Sequence, residues 1–489
     1  MMNWKMWQKC VGKIGKKLPI FLFIFILLYV IGSLICYPLL TKRHVLKQKE
    51  KYAEQAAKET VDRSASVRCL DDNTQALVYR LALIESAQRE LIMTTFDMSD
   101  GESGQDLMAA MLQAADRGVH IRLMVDGINA WLKLEKSDLF GAFSTHPNIE
   151  IRFYNPIRLT KLWKLNYRMH DKYLIADDTA YILGGRNSNN LFLGAYRDTY
   201  NIDRDLYVLE RTEKNASDVM QKKERNSLQD IKAYFEKIWV QPDQKIFRKK
   251  ETEKTKEGLA LLREHYKELQ TAYPEVFSET ETLLTQDLIR VDSIQFLHNP
   301  LYADEKVPVV YQRICQEMEQ GETILIQTPY IICDKGMYQD LSELCRAGKQ
   351  IEIITNAVES GANPWGCTDY LNERKSILKT GAGVYACMAG QSLHTKTVLI
   401  DDETSIVGSY NLDLRSTYLD TELMLLVKSK ELNKQLRDQA AAYQEKSAYE
   451  KAGKPSRTGR LYEKKEMSGM QKVIYSILRI LIRPIREVL

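Results

Sequence analysis

The sequence predicts an α/β protein that contains the same unit twice, and three observations lead to this fold class. The chain has 489 residues, which is enough for two or three domains of roughly 150 residues each. Two segments, which begin at Glu90 and Thr323, share one plan of apolar strand, helical stretch, glycine turn and alternating strand. The same pattern of polar residues then follows in both. Strand, helix and strand in this order form a βαβ unit, so we expect two homologous lobes with helices packed on a sheet.

The amino-terminal part of the chain predicts a membrane-spanning helix. No charged residue occurs between Lys17 and Lys42, and a helix over 18–41 would be about 36 Å long, enough to cross a hydrocarbon core of about 30 Å. A cleaved signal peptide is the alternative, because five lysines precede the apolar run. The run is longer than a typical signal sequence, however, and it lacks a small-residue cleavage site. Basic residues flank the run on both sides, so the positive-inside rule assigns no orientation.

The charged region between the two lobes predicts a further helix. Its apolar residues recur at helical spacing from Ile231 to Trp239, which indicates a helix that packs on the first lobe. A run of charged residues from Arg248 to Lys256 is typical of a solvated connection. We therefore expect the following boundaries: a basic amino-terminal segment 1–17, a transmembrane helix 18–41, a linker 42–69, the first lobe 70–245, an inter-lobe connection 246–282, the second lobe 283–445, and a basic linker with an amphipathic carboxyl-terminal helix 446–489.

The carboxyl-terminal residues predict an amphipathic helix. Apolar side chains recur at helical spacing from Val473 to Leu481, and basic residues lie among them. This segment is too short and too charged to span a membrane, but it suits a helix that lies among anionic lipid headgroups. The alternative is an amphipathic helix docked on the protein's own core. The stretch before it, Glu445 to Glu466, is polar and is typical of a linker.

The distribution of charge divides the chain into an acidic body and two basic ends. The formal net charge is +4, yet residues 1–51 carry ten basic residues and one acidic residue, and residues 445–489 carry eleven and five. The intervening part, 52–444, is therefore acidic, at −11. Binding of nucleic acid usually needs a basic face that neutralises several phosphates, so this balance argues against a nucleic-acid partner. Basic ends beside apolar segments suit contact with an anionic membrane surface instead.

The eight cysteines do not predict a structural zinc site. No pair has the CxxC spacing, and none lies beside a histidine at zinc-ligand spacing. Most of the cysteines occur in apolar runs. We therefore expect buried free thiols and no bound metal.

The strongest functional signal is the pattern HxKxxxxD, which occurs once in each lobe. In both copies a glycine follows the aspartate after seven residues and an asparagine after ten. Chance does not explain two copies with the same downstream spacing. An acidic residue at the start of an apolar strand ends each constellation, Asp205 in the first lobe and Glu422 in the second. The candidate site residues are His170, Lys172, Asp177 and Asn187 in the first lobe and His394, Lys396, Asp401 and Asn411 in the second.

The spacing of these residues favours chemistry on a phosphoryl group. Histidine and lysine two positions apart on a strand project to the same face, so both address one ligand. Two facing lobes would gather two imidazoles, two ammonium groups and two amides, which suit a phosphoryl group whose charge must be stabilised. One imidazole would attack phosphorus while the other donates a proton. Asp205 and Glu422 would each orient a histidine through its second ring nitrogen. Asp177 and Asp401 lie on the opposite face from the lysines, which favours a turn-fixing role.

These residues resemble the phospholipase D superfamily, whose signature is the duplicated HxKxxxxD motif. The resemblance covers roughly 70–445, and the segment from Gly408 to Ser416 is similar to the second motif of bacterial cardiolipin synthases. It implies two phospholipase D-like lobes, each a mixed sheet flanked by helices, packed as a pseudo-dimer. The chain departs from that branch at Asp420, where the family often has asparagine, and in its one apolar span, where many cardiolipin synthases have two.

The resemblance also implies a mechanism that needs no metal or cofactor. By family analogy His170 attacks phosphorus to form a phosphohistidine, and His394 protonates the leaving alcohol and then activates the incoming one. The family counts the acids of the motif, Asp177 and Asp401, among its site residues. By the same analogy the phosphoryl oxygens are held by Lys172, Lys396, Asn187 and Asn411.

Four functions are compatible with these observations. The first is a membrane phosphatidyltransferase of the cardiolipin synthase type, which transfers a phosphatidyl group between phosphatidylglycerol molecules. The others are a hydrolytic phospholipase D, a nuclease, and a membrane-tethered binding protein with an inert site. The acidic body disfavours the nuclease, and the complete, duplicated constellation disfavours the inert protein. The resemblance favours the transferase over the hydrolase. The uncharged apolar run predicts that the protein is anchored in the cell membrane by a single pass.

Overall fold

Two nine-stranded sheets form the centres of two lobes. The structure is a computed structural model that describes residues 23–46, 65–210, 226–302 and 305–489. The basic segment 1–17 lies outside the described residues, as do the first residues of the expected transmembrane helix and most of the linker after it. The two sheets and their helices confirm the expected fold class, a duplicated α/β unit.

The strands of both lobes are short, and the central ones are buried along their whole length, as expected for sheets covered on both faces. In chain order they are β1 (Ser66–Leu70), β2 (Glu90–Thr95), β3 (His120–Asp126), β4 (Ile149–Tyr154), β5 (Tyr173–Ala176), β6 (Ala180–Gly184), β7 (Asn201–Ile202), β8 (Asp205–Leu209), β9 (Lys245–Phe247), β10 (Ile289–Arg290), β11 (Ser293–His298), β12 (Thr323–Gln327), β13 (Gln350–Asn356), β14 (Gly383–Cys387), β15 (Ser392–Leu393), β16 (Thr397–Ile400), β17 (Thr404–Gly408), β18 (Leu423–Lys428), β19 (Ser447–Glu450) and β20 (Arg457–Thr458).

The two sheets repeat one topology. The first has the strand order β10-β1-β8-β6-β5-β2-β3-β4-β9, and the second has the order β11-β18-β17-β16-β12-β13-β14-β19-β20. In the first, β2, β3 and β4 are parallel, whereas β5, β6 and β8 are antiparallel to their neighbours. In the second, β12, β13 and β14 are parallel, and β16, β17 and β18 are antiparallel. Both sheets are therefore mixed, and β5 and β16, the strands after the two HxK pairs, are equivalent.

Helices cover the outer faces of both sheets and begin at capping residues. Asp72, for example, accepts the backbone N–H of Gln75 at 2.8 Å and so starts the first of them. The helices are α1 (Asn73–Ser86), α2 (Glu102–Asp116), α3 (Gly127–Lys133), α4 (Asp138–Phe143), α5 (Ser227–Trp239), α6 (Glu253–Ala272), α7 (Pro274–Ser278), α8 (Thr280–Thr285), α9 (Val309–Gln320), α10 (Lys335–Arg346), α11 (Pro364–Lys379), α12 (Leu414–Tyr418), α13 (Lys430–Gln444) and α14 (Gly469–Leu481).

The region between the lobes belongs largely to the first lobe. Leu262, Tyr266 and Leu269 of α6 are buried in the same core cluster as α1 and α2. Strand β10 then pairs with β1 at the edge of the first sheet. The expected inter-lobe connection is therefore part of the helical layer that covers the first sheet.

The polar stretch from Glu445 to Glu466 was predicted as a linker, and that prediction is wrong. It contains β19, which pairs antiparallel with β14, and β20, which pairs with β19. The ring of Tyr449 packs on that of Tyr385, with centroids 4.5 Å apart. Strand β19 buries only alternate side chains, so its polar residues conceal it in the sequence.

One helix among the described residues, Phe23–Val45, is long and apolar enough to cross a membrane, with a mean hydropathy of 2.4. Its side chains up to Leu28 are exposed. From Tyr29 onward the helix touches the body, because the hydroxyl of Tyr29 donates to the carbonyl oxygen of Leu159 at 2.9 Å. Near its other end Lys42 forms an ion pair with Asp334 of the second lobe at 2.8 Å. The helix is therefore docked on both lobes from Tyr29 onward.

The carboxyl-terminal helix α14 docks on the second lobe by one edge. Tyr475 is buried in the same core cluster as Cys367 of α11, and Arg486 beyond the helix forms an ion pair with Asp369 at 2.7 Å. The opposite face of the helix is exposed and apolar. It consists of Met470, Val473, Ile474, Ile477, Ile480 and Leu481.

Candidate active site

The two HxK pairs lie at matching places in the two lobes. His170 and Lys172 precede β5, and His394 and Lys396 precede β16. Both lysines are almost completely buried, and each donates from Nζ to the carbonyl oxygen of its own histidine. Lys396 also reaches Nε2 of His394 at 3.2 Å. Histidine and lysine therefore address the same space, although both lie just before their strand.

Each histidine is paired with an acid from the other lobe. Nδ1 of His170 lies 2.9 Å from Oε1 of Glu422, and Nδ1 of His394 lies 2.6 Å from Oδ2 of Asp203. Both carboxylates are fully buried. A contact through Nδ1 leaves Nε2 of His170 available for chemistry, whereas Nε2 of His394 faces the ammonium group of Lys396. Both halves of the site are therefore complete only when the two lobes meet.

Two short parallel bridges between the lobes create this crosswise pairing. Met169 pairs with Thr421 in one bridge, and Leu393 of β15 pairs with Ile202 of β7 in the other. His170 follows Met169 directly, and its partner Glu422 follows Thr421. In the same way His394 follows Leu393, and its partner Asp203 follows Ile202. Parallel pairing places such residues side by side.

The predicted role of Asp205 is wrong, because Asp203 is the residue that contacts a histidine. The carboxylate of Asp205 is instead ion-paired with two buried guanidinium groups, that of Arg80 at 2.9 Å and that of Arg186 at 3.3 Å. It therefore stabilises the first lobe beneath the site.

The strand register explains this error. Gly184 faces Asp205 in the first sheet, whereas Gly408 faces Met424 in the second. Glu422 lies two residues before Met424, the partner of Gly408. Asp203 lies two residues before Asp205, the partner of Gly184, so Asp203 is the equivalent of Glu422. Residues two positions apart share one face of a strand, so the sequence pattern does not distinguish the two acids. The length of the loop before each strand, which differs between the lobes, decides between them.

The structure does not bring Asp177 and Asp401 to the histidines. Asp177 follows the far end of β5, roughly 16 Å along the strand from Lys172. Its carboxylate accepts the backbone N–H groups of residues 88, 89 and 90 at 2.8, 2.8 and 2.9 Å. Asp401 accepts those of residues 322 and 323 at 2.9 and 2.8 Å. Both have a positive φ, 50° and 47°. This agrees with a turn-fixing role and contradicts the place among the catalytic residues that the resemblance implies.

Glycine and asparagine residues bring backbone and amide groups close to each HxK pair. The N–H of Gly184 donates to the carbonyl of Lys172, and that of Gly408 donates to the carbonyl of Lys396, both at 3.3 Å. A Cβ at either glycine would collide with the neighbouring strand. Three residues further on lie Asn187 and Asn411, which are buried, and the amide oxygen of each has no protein partner among the described residues.

Burial and the neighbouring lysine lower the pKa of both histidines. The pKa of His170 falls well below its usual range because of burial and the charge of Lys172. That of His394 falls to about 4 because of burial and the charge of Lys396. Burial also lowers the pKa of Lys172 to about 7. Neutral imidazoles retain the lone pair that a nucleophile or base needs, and a bound phosphoryl anion would raise the pKa of all these groups.

The surroundings of the two acidic partners shift their pKa values in opposite directions. Burial raises the pKa of Glu422 to about 8. Burial also acts to raise that of Asp203, but Lys396 and His394 outweigh it, so the pKa of Asp203 lies below its usual range. An ionised carboxylate stabilises an imidazolium better than a protonated one does. The surroundings of Asp203 therefore suit the stabilisation of an imidazolium better than those of Glu422 do.

Further buried groups around the first histidine were not found by sequence reasoning. The hydroxyl of Thr421 donates to Asp171 at 2.6 Å and accepts the backbone N–H of His170 at 3.2 Å. The hydroxyl of Tyr234 also donates to Asp171, at 2.7 Å. These residues follow no repeated pattern, so only their contacts identify them. An aromatic ring lies 5.0 Å from each histidine ring, that of Phe96 at His170 and that of Phe192 at His394.

A polar cavity of about 190 Å³ opens beside His394. The hydroxyl and amide side chains in its lining include Tyr330, Asn363 and Ser392. His170 is not among the lining residues. Within the described ranges, no group of three or more His, Cys, Asp or Glu side chains is arranged to hold a metal ion.

Comparison with known proteins identifies the family. The chain matches the family described as "Cardiolipin synthase, PLD-like domain" over residues 81–239 and 314–443, which together exceed half of its length. An uncharacterized protein of Helicobacter pylori is 26% identical over 428 residues, which cover 79% of this chain and 80% of that protein. Cardiolipin synthase C of Escherichia coli K12 is 25% identical over 408 residues, which cover 74% of this chain and 81% of that protein.

A solved structure shares the fold. The crystal structure of phosphatidylserine synthase from Haemophilus influenzae Rd KW20 matches with a TM-score of 0.61 and 16% identity, over 90% of this chain and 100% of that chain. The family match includes both HxK pairs and their strands. The chain is therefore an enzyme of the phospholipase D superfamily and belongs to the family of cardiolipin synthase PLD-like domains.

Proposed function

We propose that this protein is a phospholipid phosphatidyltransferase of the cardiolipin synthase type, which moves a phosphatidyl group from one phosphatidylglycerol to another. The observation that carries the proposal is the single site in which two His–Lys pairs are each completed by an acid of the opposite lobe. Similarity to cardiolipin synthase C supports a phospholipid substrate. The apolar amino-terminal helix supports action at a membrane.

In the first step Nε2 of His170 attacks the phosphorus of phosphatidylglycerol, and the bond between phosphorus and the headgroup oxygen breaks. The bound phosphoryl anion raises the pKa of His394, which takes up a proton from solvent. Protonated His394 gives this proton to the headgroup oxygen, so glycerol leaves as a neutral alcohol. Lys172 and Lys396 stabilise the negative charge on the phosphoryl oxygens. The intermediate is a phosphatidyl group bonded to His170.

In the second step the headgroup hydroxyl of another phosphatidylglycerol attacks the phosphorus of this intermediate. Neutral His394 takes the proton of the hydroxyl, the phosphorus–nitrogen bond breaks, and His170 regains its lone pair. Two phosphatidylglycerol molecules thus yield one cardiolipin and one glycerol. His394 ends with the proton that it gave up in the first step.

The cavity beside His394 supports this division of roles. A group that protonates the leaving alcohol and deprotonates the entering one must face the space through which both pass. His394 lines that space, together with side chains that suit hydrogen bonds to a glycerol headgroup. The buried amide oxygens of Asn187 and Asn411 have no partner in the part of the chain that the structure describes. Rotation of either amide about its last torsion would turn its NH₂ group toward a phosphoryl oxygen.

The proposal is tested by incubating the purified protein with phosphatidylglycerol vesicles and following the lipids by mass. Cardiolipin with an equal amount of glycerol is the expected result. Phosphatidic acid without cardiolipin would replace the proposal with hydrolysis. We expect turnover to be unchanged by EDTA, because the nucleophile and the charge-stabilising groups are side chains of the chain itself. Loss of turnover that added metal restores would contradict the mechanism.

A further inference from the structure

Residues 156–165 of the first lobe, here called the interfacial segment, run beside the amino-terminal helix and lead into His170. We propose that this segment lies in the lipid headgroup layer, binds anionic phospholipid and holds the active site at the membrane surface. The inference rests on the proposed function only in that it needs the protein to work at a membrane.

The interfacial segment is attached to the apolar helix by several contacts. Tyr29 donates its hydroxyl hydrogen to the carbonyl of Leu159 at 2.9 Å and accepts the N–H of Leu162 at 3.4 Å. Just beyond the segment, Asn166 donates from its side chain to the carbonyl of Leu34 at 2.8 Å. The interfacial segment therefore lies at the same depth in the membrane as Tyr29 of the helix.

The side chains of the segment have the composition of a membrane interface. Leu159 is 77% exposed and Ile157 is 39% exposed. Arg158, Lys161 and Lys164 all form ion pairs with one acid, Asp243. Three cations on one carboxylate leave two positive charges in excess, beside exposed apolar side chains. Apolar side chains that insert and cations that meet phosphate are the two features of an element that binds anionic lipid.

The charged groups around Asp243, which are Arg158, Lys161 and Lys164, determine how deep the helix lies in the membrane. Tyr29 lies at the middle of the uncharged run 18–41, so a helix centred in the bilayer would carry the cluster into the hydrocarbon core. Charged side chains at that depth are strongly disfavoured. Because the helix is docked on the first lobe from Tyr29 onward, the boundary of the hydrocarbon core therefore lies near Tyr29. The helix then enters the membrane from Leu28 toward its amino terminus, and residues after Tyr29 stay on the body.

The segment also fixes the position of the site. Asn155 donates from its side chain to the carbonyls of Lys164 and Tyr167 at 2.7 and 2.8 Å, so both ends of the segment are held by one amide. His170 follows only five residues after the segment. Placing the segment among headgroups therefore places the first HxK pair near the phosphates of the same leaflet.

The test uses the photo-crosslinking residue p-benzoylphenylalanine, introduced singly into the full chain at Leu28, Leu159, Leu40 and Leu261. The protein is reconstituted in nanodiscs of equimolar phosphatidylcholine and phosphatidylglycerol, irradiated and analysed by mass. Leu261 of α6 is the matched control, because it is 63% exposed on a helix of the first lobe. Leu40, on the docked part of the helix, is 62% exposed.

We expect lipid adducts at positions 28 and 159 and none at 40 and 261. An adduct level at 159 no higher than at 261 would overturn the proposal, and adducts at 40 equal to those at 28 would overturn the inferred depth. In the position-159 protein, the double substitution Lys161→Gln and Lys164→Gln should reduce the share of phosphatidylglycerol among the adducts to its share of the lipid. An unchanged share would refute recognition of anionic lipid. The readout needs no turnover, so an inactive protein that still crosslinks at 159 would refute the proposed function and support this inference.

Discussion

At the scale of single residues, Asp203 and Asp205 show how two similar side chains acquire different tasks. Asp203 lies at the end of a bridge to the second lobe and contacts His394. Asp205 lies at the start of β8 and forms ion pairs with the buried Arg80 and Arg186. One carboxylate therefore orients a reactive imidazole, and the other prevents two buried cations from being left without a counter-charge.

The first prediction separates these tasks. Asp203→Asn should reduce kcat by about two orders of magnitude or more, because an amide does not stabilise the imidazolium of His394 as a carboxylate does, while the melting temperature changes little. Asp205→Asn should lower the melting temperature and leave kcat of the folded protein nearly unchanged. Steady-state kinetics and thermal unfolding of both variants give the comparison. Equal effects of the two substitutions on kcat would contradict the assignment.

The second prediction concerns pH. Because burial lowers the pKa of Lys172 to about 7, the free enzyme loses this positive charge as the pH rises through that value. Binding of the phosphoryl group weakens with it, so kcat/KM should fall on the alkaline side with an apparent pKa near 7. At saturating lipid the bound anion favours the charged lysine, and the corresponding fall in kcat should occur at higher pH. Lys172→Arg should remove this alkaline limb, since a guanidinium keeps its charge. A limb that persists in this variant would assign it to another group.

At the scale of elements, the acids that end β5 and β16 hold the sheets together at the far side from the site. Asp177 ties the amino end of β2 to the turn after β5, and Asp401 does the same for β12 and β16. Their duplication follows from the duplicated sheet. A repeated motif residue is therefore explained here by architecture, without a part in the chemistry.

The third prediction tests this view of the motif acids. Asp177→Ala should lower the free energy of unfolding by about 3 kcal/mol, since it leaves three backbone N–H groups without acceptors and places alanine at positive φ. Asp178→Ala, at the exposed neighbour, should change it by no more than about 0.5 kcal/mol. Denaturant unfolding measures both. If Asp177→Ala instead kept its stability and lost its activity, a chemical role for Asp177 would be restored.

At the scale of the whole molecule, the crosswise pairing makes the two lobes one catalytic unit. Neither lobe contains both a histidine and its acid. The bridge between Met169 and Thr421 carries part of this coupling, because the hydroxyl of Thr421 joins the backbone of His170 to Asp171. Small shifts between the lobes would therefore act directly on the geometry of the site.

The fourth prediction addresses this coupling. Thr421→Val keeps the shape of the side chain but removes the hydroxyl, so kcat should fall by about tenfold or more as His170 loses its fixed position. Thr404→Val, at the start of β17 and within the second lobe alone, should leave kcat unchanged. Kinetics at saturating lipid with both variants provide the measurement. A normal kcat in Thr421→Val would contradict this prediction. It would mean that the bridge between Leu393 and Ile202 is enough to hold the two lobes in register.

Much of this protein follows from its sequence alone. The duplicated strand–helix–strand pattern and the duplicated HxKxxxxD motif determine the two lobes, the HxK pairs and the family, because both depend on local periodicity and spacing. The apolar run that ends before Lys42 likewise predicts a helix fit for a membrane.

The tertiary structure decided which acid serves which histidine, that Asp203 and not Asp205 does so, and that the polar stretch after Glu445 forms edge strands. It also decided that the apolar helix lies along the body from Tyr29 onward. These features depend on loop lengths and on contacts between segments far apart in the chain. The local sequence around a residue does not determine which side chain of the other lobe it contacts. Only the folded structure shows these contacts.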